Sequence, residues 1–276
     1  MTQRVWRQVN VAFPDWERAE TTAVTELAPL LRTAEAVGAI TTWFIIRKNP
    51  CWRIRYIPVT GAQNPVDQRL DELVSAGQLT GWTEIIYEPE VYAFGGAQSM
   101  DCAHRFFHRD SRNLLDLLRG DAARHRRETS MMLFSLMMRA ARLDWYEQGD
   151  VWARVAAHRA LPPGSEQNRN AKLPTAVRRL LSVDPKYAIQ PGGPLAAATG
   201  WVSAYTDAGH DLARLNENGQ LRRGLRNVLA HHVIFGWNRL GLPHDTQATL
   251  TAAARTVIFG PDPATERSNA DRVETP

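Results

Sequence analysis

The sequence predicts an α+β fold, with an antiparallel sheet in residues 1–96 and a mostly helical remainder over 97–260 of the same compact domain. Three observations carry this expectation. β-rich runs alternate with apolar-periodic runs before Gly96; two of the β-rich runs are separated by only Asn49-Pro50, a hairpin signal; and beyond Gly96 nearly every segment repeats with the period of a packed helix.

The elements follow in order. Residues 4–13 (RVWRQVNVAF) combine β-branched and aromatic side chains as a strand does, and Pro14-Asp15 opens an apolar-periodic helix that Gly38 closes. Ile40 to Lys48 and Cys51 to Val59 form the hairpin. A helix over about 65–76 ends at Gly77, and Thr80 to Glu88 reads as the fourth strand. The order βαββαβ is that of a ferredoxin-like unit, with both helices on one face of an antiparallel sheet. Pairing across the two-residue turn sets Lys48 opposite Cys51, so Trp43, Ile45, Ile54 and Tyr56 share the helix-facing side. Phe44, Ile46, Arg53 and Arg55 share the other, where two guanidinium groups require water or an anionic companion. Helices are expected at 97–119, 122–145, 147–159, 173–182, 194–217, 222–240 and 244–259, the Met131–Met138 strip being apolar nearly all round and hence central. Loops are expected at 161–174 and 185–194, and a disordered tail at 261–276.

With 44% hydrophobic and 22% charged residues, the composition is that of a globular protein, and the longest apolar runs are too short to cross a bilayer. A cytoplasmic location and no membrane partner are expected. Cys51 and Cys102 supply neither a disulfide framework nor metal-ligand spacing. The basic residues are 30 Arg against 3 Lys, but the cluster Arg124-His125-Arg126-Arg127 sits beside Asp121 and Glu128 and lacks interleaved aromatics, so it reads as a solvated helix face rather than a nucleic-acid surface. No phosphate loop, dinucleotide fingerprint, nucleophile elbow or zinc ribbon occurs. No cofactor and no metal are therefore expected.

The motif richest in chemistry is YEPEVYAFGG (Tyr87 to Gly96), where Glu90 precedes a glycine pair just past a predicted strand. Glycines there allow close backbone approach, and a carboxylate can act as acid, base or orienting group. His104 and His108 lie four apart on a predicted helix and share a face, without a third ligand. His231 and His232 are adjacent and point about 100° apart, so one at most lines a cleft. Asp110-Ser111 reads as a cap or local turn, and Asn238-Arg239 places a donor fork near a helix C-terminus.

Taken together, the Trp6 strand, the FIIRKNPCWRIRY hairpin, the YEPEVYAFGG junction, the HRFFHRDS segment and the NRLGL helix resemble the thiopeptide-type bacteriocin biosynthesis domain, the C-terminal glutamate-elimination domain of class I lanthipeptide dehydratases, over roughly residues 4 to 259. The resemblance implies a lyase that removes glutamate from glutamylated Ser or Thr of a ribosomal precursor peptide. It implies two partners: that peptide with its leader, and a glutamylating subunit that uses glutamyl-tRNA, so that no direct tRNA binding is expected here. A homodimer is a candidate assembly. Carried over residue by residue, the family's hairpin arginine matches Arg53 or Arg55 and its glutamate matches Glu90, so Arg53, Arg55 and Glu90 are expected as catalytic groups, with His231 or His232 replacing a family histidine and His232 taken as the catalytic one. Arg47, Tyr92, Asp110, Ser111, Asn238 and Arg239 are expected to bind substrate. The chain departs from the family at Ala93, where an arginine is expected, and at Ile234 and Gly236, where histidines occur. Those losses also suit a pyridine synthase closing two dehydroalanines by a formal [4+2] cycloaddition, with Tyr92, Tyr205, Ser203 and Asp207 as its polar groups. They suit equally a non-catalytic, leader-binding subunit.

Overall fold

The structure is a computed structural model describing residues 5–61, 64–160 and 172–260; the expected tail and most of the expected 161–174 loop lie outside these residues. Strand β1 (Arg7–Ala12) leads into α1 (Ala19–Thr22), which continues through a π-helical turn at Ala23–Leu27 into α2 (Ala28–Ala36). Then come β2 (Ile40–Lys48), β3 (Cys51–Pro58), α3 (Pro65–Ser75) and β4 (Gly81–Ile85). Asn64 starts α3 because its side-chain oxygen accepts from the Val66 N–H at 3.1 Å and Pro65 occupies the first turn. β4 stops at Ile85, short of the expected Glu88, because its pairing with β1 ends at Gln8.

The four strands form one antiparallel sheet in the order β2-β3-β1-β4. The hairpin has the expected register, with Lys48 opposite Cys51, Ile45 opposite Ile54 and Phe44 opposite Arg55. Trp43, Ile45, Ile54 and Tyr56 join Val9 and Val11 in the core on the side of α2 and α3. Polar tips there are satisfied: the Trp43 indole donates to Glu35 at 2.9 Å and the Tyr56 hydroxyl to Asp67 at 3.1 Å.

The opposite face is not the open surface that strand parity alone suggests. Helix α4 (Ala97–Leu117) lies along β2, bringing the rings of His104 and Phe107 to 5.9 and 5.3 Å from that of Phe44. The same helix covers the free edge of β2, where Ser111 Oγ accepts from the Ile45 N–H at 3.2 Å and His108 Nδ1 lies 2.9 Å from the Trp43 carbonyl. An edge strand beside a packed core needs such partners for its outward backbone groups. Across the sheet the cover thins: Arg53 and Asn10 are half-buried and Ile85 is exposed.

The helical remainder comprises α5 (Arg126–Ala140), α6 (Trp145–His158), α7 (Leu173–Leu181), α8 (Pro185–Ile189), α9 (Thr199–Glu217), α10 (Leu225–Leu240) and α11 (His244–Phe259). As its composition predicts, α5 is buried continuously from Thr129 to Met138. Short 3-10 turns at Asp121–His125 and Ala196–Ala198 replace the expected starts of α5 and α9. Helix α8 forms where only a loop is expected, because Asp184 accepts from the Lys186 and Tyr187 N–H groups and Pro185 presets the first turn. No helix among the described residues is long and apolar enough to cross a membrane.

Candidate functional site

The site begins with Arg55. Alternation along β3 sends its side chain to the α4 face, where it is only 3% exposed. Its Nε donates to Gln8 on β1 at 2.6 Å, and its guanidinium carbon stacks 4.1 Å from the Tyr87 ring and 5.3 Å from that of Phe44. Nη1 is buried without a hydrogen-bond partner. Burial weakens the proton affinity of this guanidinium and Arg53 weakens it further, while Tyr87 and Glu90 act in the other direction. An arginine stays charged regardless, so a cation with an unused donor faces this end of the sheet.

Glu90 arrives from the segment after β4. That segment closes on itself: the Phe94 N–H reaches the Glu90 carbonyl at 3.1 Å and the Gly96 N–H reaches Val91 at 2.8 Å. Gly95 and Gly96 have φ of 88° and 112°, a path that side chains resist. The turn is sewn to the segment before α10, with the Arg222 N–H donating to Gly95 at 2.8 Å and the Arg223 guanidinium to the Ala93 carbonyl at 3.0 Å. An arginine from another part of the chain thus reaches the backbone of Ala93, the position where the resemblance leads to the expectation of an arginine. Glu90 Oε2 is buried and unpartnered, and Glu90 acts electrostatically on both Arg55 and Tyr87 without an ion pair forming to Arg55.

Two further side chains complete the cluster, and sequence reasoning assigned neither of them a catalytic role. Tyr87 hydrogen-bonds His104 Nε2 through its hydroxyl at 2.9 Å, and the Trp6 ring lies 4.6 Å from that imidazole. Burial, and then the Arg55 charge, push the His104 pKa down to about 4, so the ring is neutral at physiological pH. Burial likewise raises the Tyr87 phenol well above its ordinary range. Of these side chains Tyr87 lines a cleft of about 700 Å³, whose walls also include Trp6, Ile85, Ile86 and Pro89. The one signal for His104 was its spacing to His108, yet the two do different work: one meets Tyr87, the other the β2 edge.

The remaining expected residues are dispersed. Arg47 projects from the opposite sheet face, since its partner across the hairpin is Trp52; it pairs with Glu20 at 2.6 Å and stacks 4.4 Å from the Trp52 ring. Asp110 and Arg239 form a sealed ion pair at 2.6 Å, 1% and 0% exposed, and the same carboxylate accepts from the Trp201 indole at 2.7 Å and Tyr205 at 3.0 Å. Neither can touch a substrate. Ser111 is equally sealed, serving the β2 edge. Asn238 accepts from Gln247 on α11 at 3.3 Å. Tyr92 stands exposed on the Glu90 turn.

His232 is buried among Phe94, Phe106 and Phe107, with both ring nitrogens unpartnered, and burial together with Arg239 and His231 drives its pKa down to about 3. Such a group, 1% exposed, cannot exchange protons with a peptide. Gly236 leaves no room for a histidine, as a Cβ there would lie 2.4 Å from Phe134 Cζ. The polar groups suited to cyclisation do not converge either: Tyr205 is bound to Asp110 in the core, while Ser203 and Asp207 hold Arg109 on an exposed face. Among the described residues no group of three or more candidate metal ligands occurs.

Comparison with solved structures finds proteins of the same fold, including the following two. A tRNA-dependent lantibiotic dehydratase, MibB from Microbispora sp. 107891, is 17% identical with a TM-score of 0.64, and the match covers 100% of this chain but 29% of that longer one. The crystal structure of TsrL is 18% identical with a TM-score of 0.64, over 94% of this chain and 99% of TsrL. No curated protein sequence matches. The family described as lantibiotic biosynthesis dehydratase C-term matches residues 6–258, nearly the whole chain, and the protein belongs to that family.

Proposed function

We propose that the protein is a lyase that expels glutamate from glutamylated Ser or Thr in a ribosomal precursor peptide, leaving dehydroalanine or dehydrobutyrine. The observation that carries this reading is that Glu90 and Arg53 both act electrostatically on Arg55, while Glu90 Oε2 and Arg55 Nη1 are buried without a hydrogen-bond partner. The reaction asks for those charges. A base must take the Cα proton, and the departing glutamate carboxylate needs cations fixed where its charge develops. Glu90, half-buried, supplies the base; Arg53, also half-buried, receives the leaving carboxylate, and Arg55, 3% exposed, acts on it through its charge from behind. His232 has no part in this scheme.

The strand order and the placement of α2 and α3 on one face support reading residues 7–85 as a ferredoxin-like unit whose other face holds the peptide at its β1–β4 side, beyond the cover of α4. Glutamylation falls to a partner that handles glutamyl-tRNA.

The test is mass spectrometry of a glutamylated peptide incubated with the protein. Loss of one glutamic acid per modified residue is expected; ring closure with leader loss, or binding without any mass change, overturns the reading. Arg53→Ala lowers the elimination rate about 10²-fold, in line with removing one preorganised charge donor. Its melting temperature stays near that of the parent, because the side chain is half-buried and forms no ion pair among the described residues.

A further inference from the structure

Beyond Glu90 and the arginines, the elimination has a third electrostatic demand that they leave unmet. As the Cα proton departs, charge accumulates on the carbonyl oxygen of the same residue, and that oxygen needs its own donor. Tyr87 is placed to be that donor. It lines the 700 Å³ cleft, its ring is clamped beneath Arg55, and Glu90 acts on it electrostatically. His104, which is not among the residues lining the cleft, has its Nε2 2.9 Å from the hydroxyl, and Trp6 packs against the imidazole.

We propose that Tyr87 is a catalytic hydrogen-bond donor to the enolate oxygen of the peptide residue undergoing elimination, and that His104 is the positioning residue that aims the phenolic proton into the cleft. The inference rests on the elimination reading and extends it. A neutral imidazole carries its proton on one nitrogen; with that proton on Nε2, the ring donates to the phenolic oxygen and leaves the phenolic proton free for substrate. The phenol stays protonated because burial raises its pKa, which suits a donor and not a base. The step balances without other reactants. The Cα–H bond breaks, its proton passes to the Glu90 carboxylate, and its electron pair moves onto the carbonyl oxygen as the enolate that Tyr87 holds, then returns to form the Cα=Cβ bond. The Cβ–O bond breaks and its pair leaves on glutamate beside Arg53 and Arg55. Tyr87 lends a hydrogen bond throughout and transfers nothing; Glu90 afterwards releases its proton to solvent.

The experiment measures glutamate release from a glutamylated peptide by the full chain and by Tyr87→Phe, His104→Leu and His104→Gln. Tyr87→Phe is expected to lower kcat about 10²-fold with KM nearly unchanged, since the lost bond strengthens only in the transition state. His104→Leu should lower kcat about tenfold, and His104→Gln, which returns an N–H donor near the same place, should recover most of that loss. Release at the parental rate by Tyr87→Phe overturns the proposal while leaving the elimination reading intact. Equal losses in both His104 variants, tracking a fall in melting temperature, assign His104 to packing alone and overturn its positioning role. Absence of glutamate release by the parent protein overturns both readings together.

Discussion

Arg53 and Arg55 are two residues apart on one strand and share a face, yet their surroundings separate what each can do. Arg55 is clamped between Phe44 and Tyr87 and bonded to Gln8, so its removal strips packing as well as charge. Strand parity made the shared face legible in the sequence. It could not show which of the two a helix more than forty residues downstream would cover. The same limit explains Asp110 and Arg239, whose charge suggested ligand contact and whose location is the core. There, Arg239 keeps Nη1 and Nη2 unpartnered above the Phe106 and Phe107 rings and depends on one carboxylate for compensation. Asp110→Ala is therefore expected to destabilise the fold by about 3–5 kcal/mol, the cost of a buried charge stripped of its partner. Urea denaturation measures it. The double variant Asp110→Ala/Arg239→Met should recover part of the loss, and strictly additive losses would refute the coupling.

At the scale of elements, α4 joins the sheet to the helical half, and its rows of side chains have separate tasks. His104 meets the site, Phe107 fills the space over Phe44, and His108 and Ser111 satisfy the β2 edge. Helical spacing alone predicted that His104 and His108 share a face. Their division of labour depends on where β2 ends laterally, which is a property of the sheet and not of the helix. Ser111→Ala leaves the Ile45 N–H buried without a partner and should cost about 1–3 kcal/mol, read as a shift in urea midpoint. On α10, Gly236 permits the close approach of Phe134, so Gly236→Ala, although it raises helix propensity, should destabilise by about 1–3 kcal/mol through overpacking. A more stable Gly236→Ala protein would show that Phe134 yields without strain.

Across the whole molecule, the fold keeps three imidazoles neutral where the unfolded chain would charge them. His104 and His231 are pushed down to about 4 and His232 to about 3, in each case chiefly by burial. The sign follows from proton counting. Between the ordinary value of 6.5 and these lowered values the unfolded chain binds protons that the folded one refuses, so stability is complete above about pH 6.5 and declines as pH falls. For His232, which faces Phe94, Phe106 and Phe107 and feels Arg239 and His231, the decline approaches about 1.4 kcal/mol per pH unit down to about pH 3. Glu20 adds to the trend at lower pH: although burial works against it, Arg126 and Arg47 hold its carboxyl below the ordinary range, and that stabilisation is lost as protonation sets in. His232→Leu removes one of these terms without touching the cleft. Its stability relative to the parent should therefore rise steadily from pH 7 to pH 4.5, with its elimination rate retained. A constant difference in urea midpoint over that range would show that the His232 ring titrates normally in the folded protein, and a collapse of activity at unchanged stability would return this histidine to the catalytic machinery.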